Sequence, residues 1–568
     1  MSNIPFEHRV AILGVPNSTE RKFNVSVAWN DDNVGRLKAL GFNTIQINVA
    51  WGSRPGDEPL NLEDVVELPS ELRAEHPQPV PLRSDPARRG ERRRVLYDRI
   101  ELCKQAGLRT IFHYGAPYNA HARYGDGPPN CISNEREVER NALLLDVFAS
   151  EFPGVDDILV YTYDQDAWLC SEFGPCSRCL GVPLHERLTP FLERLAATWH
   201  KAHPDGRIWW EPWELSAGQA LKCVESVSTE AFGLALHSNI AEVMSTLTVD
   251  RWLKNTCELA LRRGIPVIVE YFLGGTSEEL EPYVHLSHPL VTLRGLQSIA
   301  AVPGVVGIKE YYGLAPDRED PNLRMTSLFF SKPEVADDEA LLLLAEPYGK
   351  ASGEMVHFWQ ETSSGMEFFP WDTSWYIREI GRSRTDHSLS AAMLRGQQAH
   401  TPSWFSTRRA IFMKTDNQQP DPWMLEDVQL RCQLAADRWN EALKIGRQIE
   451  GDMPDNLASD FQKNIAELDG LRRRALAYAY HLRETNLAVV LRKQHETGQP
   501  PPGRIVLELA STLQDDLANC RAEGDSEGCG EIQKALDLLG SNVDKFLQAY
   551  FREEPDRASK GYFSVTSR

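Results

Sequence analysis

The chain has 568 residues, 42% of them hydrophobic and 25% charged, a core-forming composition with room for roughly two to four domains. Its 61 basic and 81 acidic residues leave a formal net charge of −20. That balance argues against nucleic acid or an anionic membrane surface as the main partner, because both require a concentrated positive field.

In chain order, one unit repeats from residue 9 to about 315: a short apolar strand, a polar loop, an amphipathic helix, then the next strand. Strands are expected at Val10–Val15, Thr44–Trp51, Thr110–Tyr114, Ile158–Tyr163, Ile208–Trp213, Phe232–His237, Pro266–Tyr271 and Val305–Tyr311. The intervening helices are Asp31–Leu40, Val95–Ala106, Glu135–Ala149, Glu186–His200 and Asp250–Arg263; Gly41, Gly107 and Gly264 follow three of them as C-caps. Alternating strands and helices imply right-handed parallel crossovers, and eight strands imply a closed (β/α)8 barrel, an α/β fold. No glycine-rich phosphate loop follows the first strand, which counts against a doubly wound sheet.

The character then changes. The barrel is assigned to residues 1–320 and an aromatic-rich mixed linking region to 321–421. An α-helical bundle follows over 422–555, with helices at Leu425–Gln448, Leu457–Glu496, Ile505–Ala522 and near Glu531–Phe551; a polar tail over 556–568 completes the chain. The first residues show no secretory pattern, and no apolar run approaches the roughly 18–20 residues of a membrane helix. Ten unevenly spaced cysteines do not read as a secreted disulfide framework. The expectation is a cytoplasmic protein with no membrane or nucleic-acid partner.

Active sites of such barrels lie at the C-terminal ends of the strands, so only the last strand residues qualify. Period-two alternation, with small residues assigned to the interior, turns Asp164 and Asp166 inward after the fourth strand. The same reading turns Gln46 and Asn48 inward in the second strand and His237 in the sixth. His113, Glu211, Glu270 and Glu310 fall at the ends of the third, fifth, seventh and eighth strands. Trp51, Trp168, Trp209, Trp213, Tyr271, Tyr311 and Tyr312 are interleaved with them. Carboxylates beside flat aromatic faces suit a sugar: one carboxyl protonates the glycosidic oxygen, and another attacks, activates water or steadies the oxocarbenium charge. Catalysis is assigned to Asp164, Asp166, Glu211 and Glu270. Sugar contacts are assigned to Gln46, Asn48, His113, Trp213, His237, Glu310 and Tyr311. Arg54 and Arg123 are available in loops for an acidic sugar.

Cys170, Cys176 and Cys179 are close-set after the fourth strand, and barrel order brings Cys131 into the neighbouring loop. Structural zinc, reduced thiols and a disulfide all remain open for them; three or four sulfur ligands favour a closed rather than a catalytic site.

The fragment Val269-Glu270-Tyr271-Phe272-Leu273-Gly274 resembles the Glu-Tyr-Leu-Gly strand end of the alpha-glucuronidases. The junction Asn322–Glu339, with Phe329-Phe330 and Pro333, is similar to their passage into a helical domain. The fourth-strand Asp followed by a Cys-x-x-Cys loop looks like hexosaminidase-like relatives. The resemblance implies a barrel glycosidase in which a seventh-strand glutamate helps activate water, and Asp164 or Asp166 stands where alpha-glucuronidases use Glu. The expected activity is hydrolysis of small glycosides or oligosaccharides, exo-acting, with no cofactor needed for catalysis. A homodimer through the helical domain is compatible with this. The rival expectations are a metal-dependent sugar isomerase or lyase, with His113, Glu211, His237 and Glu270 as ligands, and a non-catalytic carbohydrate-binding protein.

Overall fold

The computed structural model describes residues 5–14, 27–50, 56–76, 86–118, 130–162, 169–212, 215–228, 231–238, 248–275, 277, 280, 283–371, 388–397, 420–498 and 500–558. Two compact units emerge. The first comprises residues 1–242, 247–274 and 292–335, and the second residues 243–246, 275–291 and 336–568. The helical unit therefore starts inside the stretch assigned from sequence to the linking region, and it also takes the segment that follows the seventh strand.

In the first unit eight parallel strands close into a barrel in chain order. They are β1 (His8–Ile12), β2 (Thr44–Gln46), β3 (Arg109–Gly115), β4 (Asp157–Tyr161), β5 (Ile208–Glu211), β6 (Phe232–His237), β7 (Val267–Tyr271) and β8 (Val305–Glu310). Local signals place the helices between them. Asn30 and Asp250 cap helices Asp31–Ala39 and Arg251–Arg263 by accepting from the Asn33 and Leu253 amides. Gly107 and Gly264 close helices in the left-handed conformation, at φ of 66° and 72°.

The barrel interior is a layer of Val10, Ile111, Leu159, Trp209, Ala235 and Ile268, one residue from each of six strands. Trp209 fills its floor: the edge of His8 meets the indole 5.1 Å away, and a Cβ on Gly233 would collide with the ring. This corrects two expectations. Trp209 lies at the floor, near the strand starts, and is not a rim aromatic. On β4 the inward residues are Leu159 and Tyr161, because large side chains fill this interior and the smaller Val160 and Thr162 face the surrounding helices. Thr162 Oγ1 accepts from the indole of Trp210, which also points outward. The inward phase expected along this strand is thus the outward one over Val160 and Thr162; Asp164 and Asp166 lie outside the described residues. Tyr271 likewise packs outward, where helix Pro289–Ala300 offers only a glycine, Gly295.

The second unit is helical. Helices Pro422–Ile449 and Asp455–Glu496 run side by side across a short turn, and Ser352–Phe368 packs on the first of them. That approach needs Gly365, since a Cβ there would strike the Trp439 ring, whose Nε1 sits 3.3 Å from the Thr362 carbonyl. The helix expected near Glu531–Phe551 is two, Ser526–Ser541 and Val543–Ala558, because Asn542 adopts extended backbone (φ −162°, ψ 107°). Trp359 and Trp371 are core residues of this unit, and Trp371 Nε1 donates to the Met366 carbonyl at 2.7 Å. Among the described residues no helix is long and apolar enough to cross a membrane.

Candidate active site at the barrel rim

Six strands deliver one buried polar cluster to the C-terminal end of the barrel. His113 Nε2 stands 3.4 Å from Glu211 Oε2, and His237 Nε2 stands 3.6 Å from Glu211 Oε1. His237 Nδ1 reaches Glu270 Oε2 at 3.3 Å, so this imidazole sits between the two carboxylates. On its other side Glu270 Oε1 is paired with Lys309 Nζ at 2.5 Å. A carboxylate oxygen of Glu211, a ring nitrogen of His237 and a carboxylate oxygen of Glu270 all lie within 4.8 Å of one another. Gln46 leans on the other ring nitrogen of His113, at 3.5 Å. The edge of Tyr311 meets His237 at 5.3 Å between centroids.

Burial makes this cluster chemically unusual. Gln46 Oε1 is buried with no hydrogen-bond partner among the described residues, while His113 Nε2 and Glu211 Oε2, and His237 Nδ1 and Glu270 Oε2, are packed against each other as buried pairs. Buried polar atoms are nearly always satisfied, so an unpaired amide oxygen beside a cluster of buried charged groups favours a polar ligand at this rim. Burial by itself would raise the Glu211 carboxyl, but the two imidazoles outweigh it and hold the group well below the usual carboxylate range.

A depressed carboxyl contributes stability that is fully present above its unfolded value of about 4.3 and is lost as pH falls toward the folded one. The wild type should therefore lose urea resistance more steeply below about pH 4.3 than Glu211→Gln, the two curves converging in acid. Parallel curves would show that Glu211 is not held low.

The remaining candidates separate. Asn48 is consumed by structure. Its side chain accepts the His113 amide at 2.7 Å and donates to the His113 and Pro59 carbonyls at 2.6 and 2.9 Å, tying β2 to β3 beyond their ladder. Glu310 faces away from the interior and binds the backbone amides of Leu273, Tyr312 and Gly313 at 2.8, 2.9 and 3.0 Å. Burial pushes its carboxyl up to about 8 against those donors, yet its oxygens are committed to two loop backbones and do not line the rim. Trp51, Arg54, Arg123, Trp168 and Trp213 lie outside the described residues.

Sequence reasoning missed Lys309. The signal was present: a lone lysine between the strand residues Ile308 and Glu310. A register shift hid it. Val267 pairs with Val305 but Ile268 pairs with Gly307, so β8 carries one extra residue and Lys309, not Ile308, stands beside Glu270. The interior is tight at that level, since a Cβ on Gly307 would lie 2.7 Å from His8 Cβ.

A second cluster lies in the same unit. Cys131, Cys170, Cys176 and Cys179 bring four sulfurs within 4.8 Å of one another.

No protein-family model matches the chain, and no curated protein matches it. Solved structures do. A GH138 enzyme targeting the pectin rhamnogalacturonan II is similar at TM-score 0.57 and 10% identity, over 91% of this chain and 62% of that one. The chain thus spans under two thirds of that enzyme's length. A Thermobaculum terrenum O-GlcNAc hydrolase is similar at TM-score 0.38 and 13% identity, over 92% of this chain and 98% of that one. A family 5 xyloglucanase from Paenibacillus pabuli reaches TM-score 0.35 and 10% identity, over 58% of this chain and 99% of that one. These neighbours are glycoside hydrolases. At such identities the GH138 likeness establishes the fold alone, an eight-stranded parallel barrel with a helical C-terminal region.

Proposed function

We propose that this chain is a glycoside hydrolase, exo-acting on small glycosides or oligosaccharides. The observation that carries the reading is the Glu270 carboxylate, buried at the barrel rim between Lys309 and His237, with a Glu211 oxygen within 4.8 Å. Glycoside hydrolysis takes two carboxyl groups around the scissile bond; Glu270 supplies one, and Asp164 or Asp166 the other. The Glu-Tyr-Phe-Leu-Gly ending of β7 supports an alpha-glucuronidase-like relative, and the neighbours' barrel supports the same chemistry by analogy.

The roles follow from the electrostatics. Glu211, held as the anion by two imidazoles, is unsuited to donate a proton and instead orients His113 and His237. Glu270, ion-paired with Lys309, attacks the anomeric carbon. As the new carbon–oxygen bond forms, the glycosidic bond breaks and its oxygen takes a proton from Asp164 or Asp166. Water then cleaves the glycosyl ester, returning a proton to that aspartate, with net retention at the anomeric centre.

The test is a panel of aryl glycosides (neutral, uronic, N-acetylated and sialic) offered to wild type, Asp164→Asn and Asp166→Asn. The acid variant should lose about 10²–10⁴-fold on poor leaving groups and far less on good ones, a pattern that singles out the proton donor. Silence across the panel would overturn the reading.

The donor atoms of Glu211, His237 and Glu270 also favour a second reading, a divalent cation serving an isomerase or lyase. The Lys309 ammonium already on Glu270 counts against it. Turnover abolished by EDTA and restored by manganese would establish it, and tight sugar binding without hydrolysis would indicate a carbohydrate-binding protein. We place the protein in the cytoplasm: all ten cysteines are unpaired, which suits a reducing compartment.

A further inference from the structure

We propose that Cys131, Cys170, Cys176 and Cys179 bind one structural zinc ion that joins the loop after β3 to the loop after β4. The first support is geometric. Tetrahedral zinc with sulfur at about 2.3 Å spaces its ligands about 3.8 Å apart. Here Cys131 Sγ lies 3.8 Å from Cys176 Sγ and 3.2 Å from Cys179 Sγ, far beyond a disulfide bond, and all four sulfurs converge within 4.8 Å. A set of four pairs off into no obvious disulfide scheme, but it fills one tetrahedron.

The second support is what the loop lacks. Residues 170–182 fold back on themselves, with the Gly181 amide reaching the Glu172 carbonyl at 2.8 Å and the Cys179 and Leu180 amides reaching the Cys176 carbonyl at 3.1 and 2.9 Å. The apolar cluster at this turn is made of buried Cys170 and Cys179 with buried Cys131 from the neighbouring loop and half-buried Cys176 against them, while the turn's large apolar residues, Phe173 and Leu180, are 86% and 62% exposed. A segment that turns its hydrophobic side chains to water and its thiols inward gains little from burial, and a metal is the element that replaces such a core.

The charge is provided for as well. Binding converts four thiols to thiolates with release of four protons, leaving a complex of net charge −2. The buried Arg187 guanidinium, anchored on the Cys170 carbonyl at 3.2 Å, stands beside that charge. Four sulfur ligands leave no open position, so the ion is structural and takes no part in the rim chemistry.

The experiment measures metal and thiols together on the full chain grown in zinc-supplemented medium. Elemental analysis should give about one zinc per chain, with four thiols that react with an alkylating reagent only after a chelator releases the ion into a colorimetric zinc reporter. Cobalt(II) replacing zinc should show the intense visible bands of a tetrahedral thiolate site. Cys176→Ser should lose the zinc, and Cys223→Ser, a buried cysteine of another helix, should keep it. A metal-free protein whose four thiols alkylate at once would overturn the proposal, as would a disulfide among these cysteines in the mapped peptides. Because the wild-type thiol and metal counts suffice, a variant that fails to fold leaves the result readable, and none of these readouts depends on glycosidase activity.

Discussion

Glu270→Gln is expected to lower kcat/KM by on the order of 10³-fold or more on every glycoside the protein cleaves, good leaving groups included. An acid variant is rescued by a leaving group that needs no proton; a variant lacking the attacking carboxylate is not. The amide is nearly isosteric, and its oxygen still accepts from Lys309, whose ammonium reaches Glu270 at 2.5 Å in the wild type. The loss should therefore appear in turnover more than in stability. Added azide should restore part of the rate and yield a glycosyl azide of inverted configuration, because the small anion enters where the carboxylate stood. Activity within about tenfold of wild type would transfer the nucleophilic role to Glu211.

Lys309→Met carries the second large effect, on folding. Lys309 and Glu270 are both buried, and removing one partner of such a pair leaves an uncompensated charge in the interior, at a cost of about 3–5 kcal/mol. His237, 3.3 Å from the other Glu270 oxygen, is the remaining compensation and places the expected loss at the lower end of that range. The double variant Glu270→Gln with Lys309→Met should be more stable than the sum of the single losses allows, with a coupling of about 1–3 kcal/mol in urea titrations. Strict additivity would mean that the pair is not a functional unit of the fold.

The fold was largely legible in the sequence because its signals are local. Apolar runs, polar loops and left-handed glycines such as Gly107 and Gly264 repeat with each unit, and every expected strand is present within a few residues. Which way side chains face was harder to read. Alternation on β4 was assigned on the premise that small residues fill a barrel, whereas Leu159 and Trp209 occupy this interior and exclude that phase. Asn48 could not be separated from Gln46 on strand position alone, since only the fold shows that its amide is spent on the His113 and Pro59 backbone. The convergence of His113, Glu211, His237 and Glu270 was anticipated because each ends its strand. The lysine among them was not.

The register shift in β8 bears on how this sequence can vary. With Val306 as the extra residue, every position after it is set one step out of phase with β7. Substitutions along the strand are judged one side chain at a time. A deletion beyond the bulge, at Ile308, is of another kind, because it would set Glu310 beside the buried Glu270 and carry Lys309 to the opposite face. In this strand, lineages should tolerate changes of letter far more readily than changes of length.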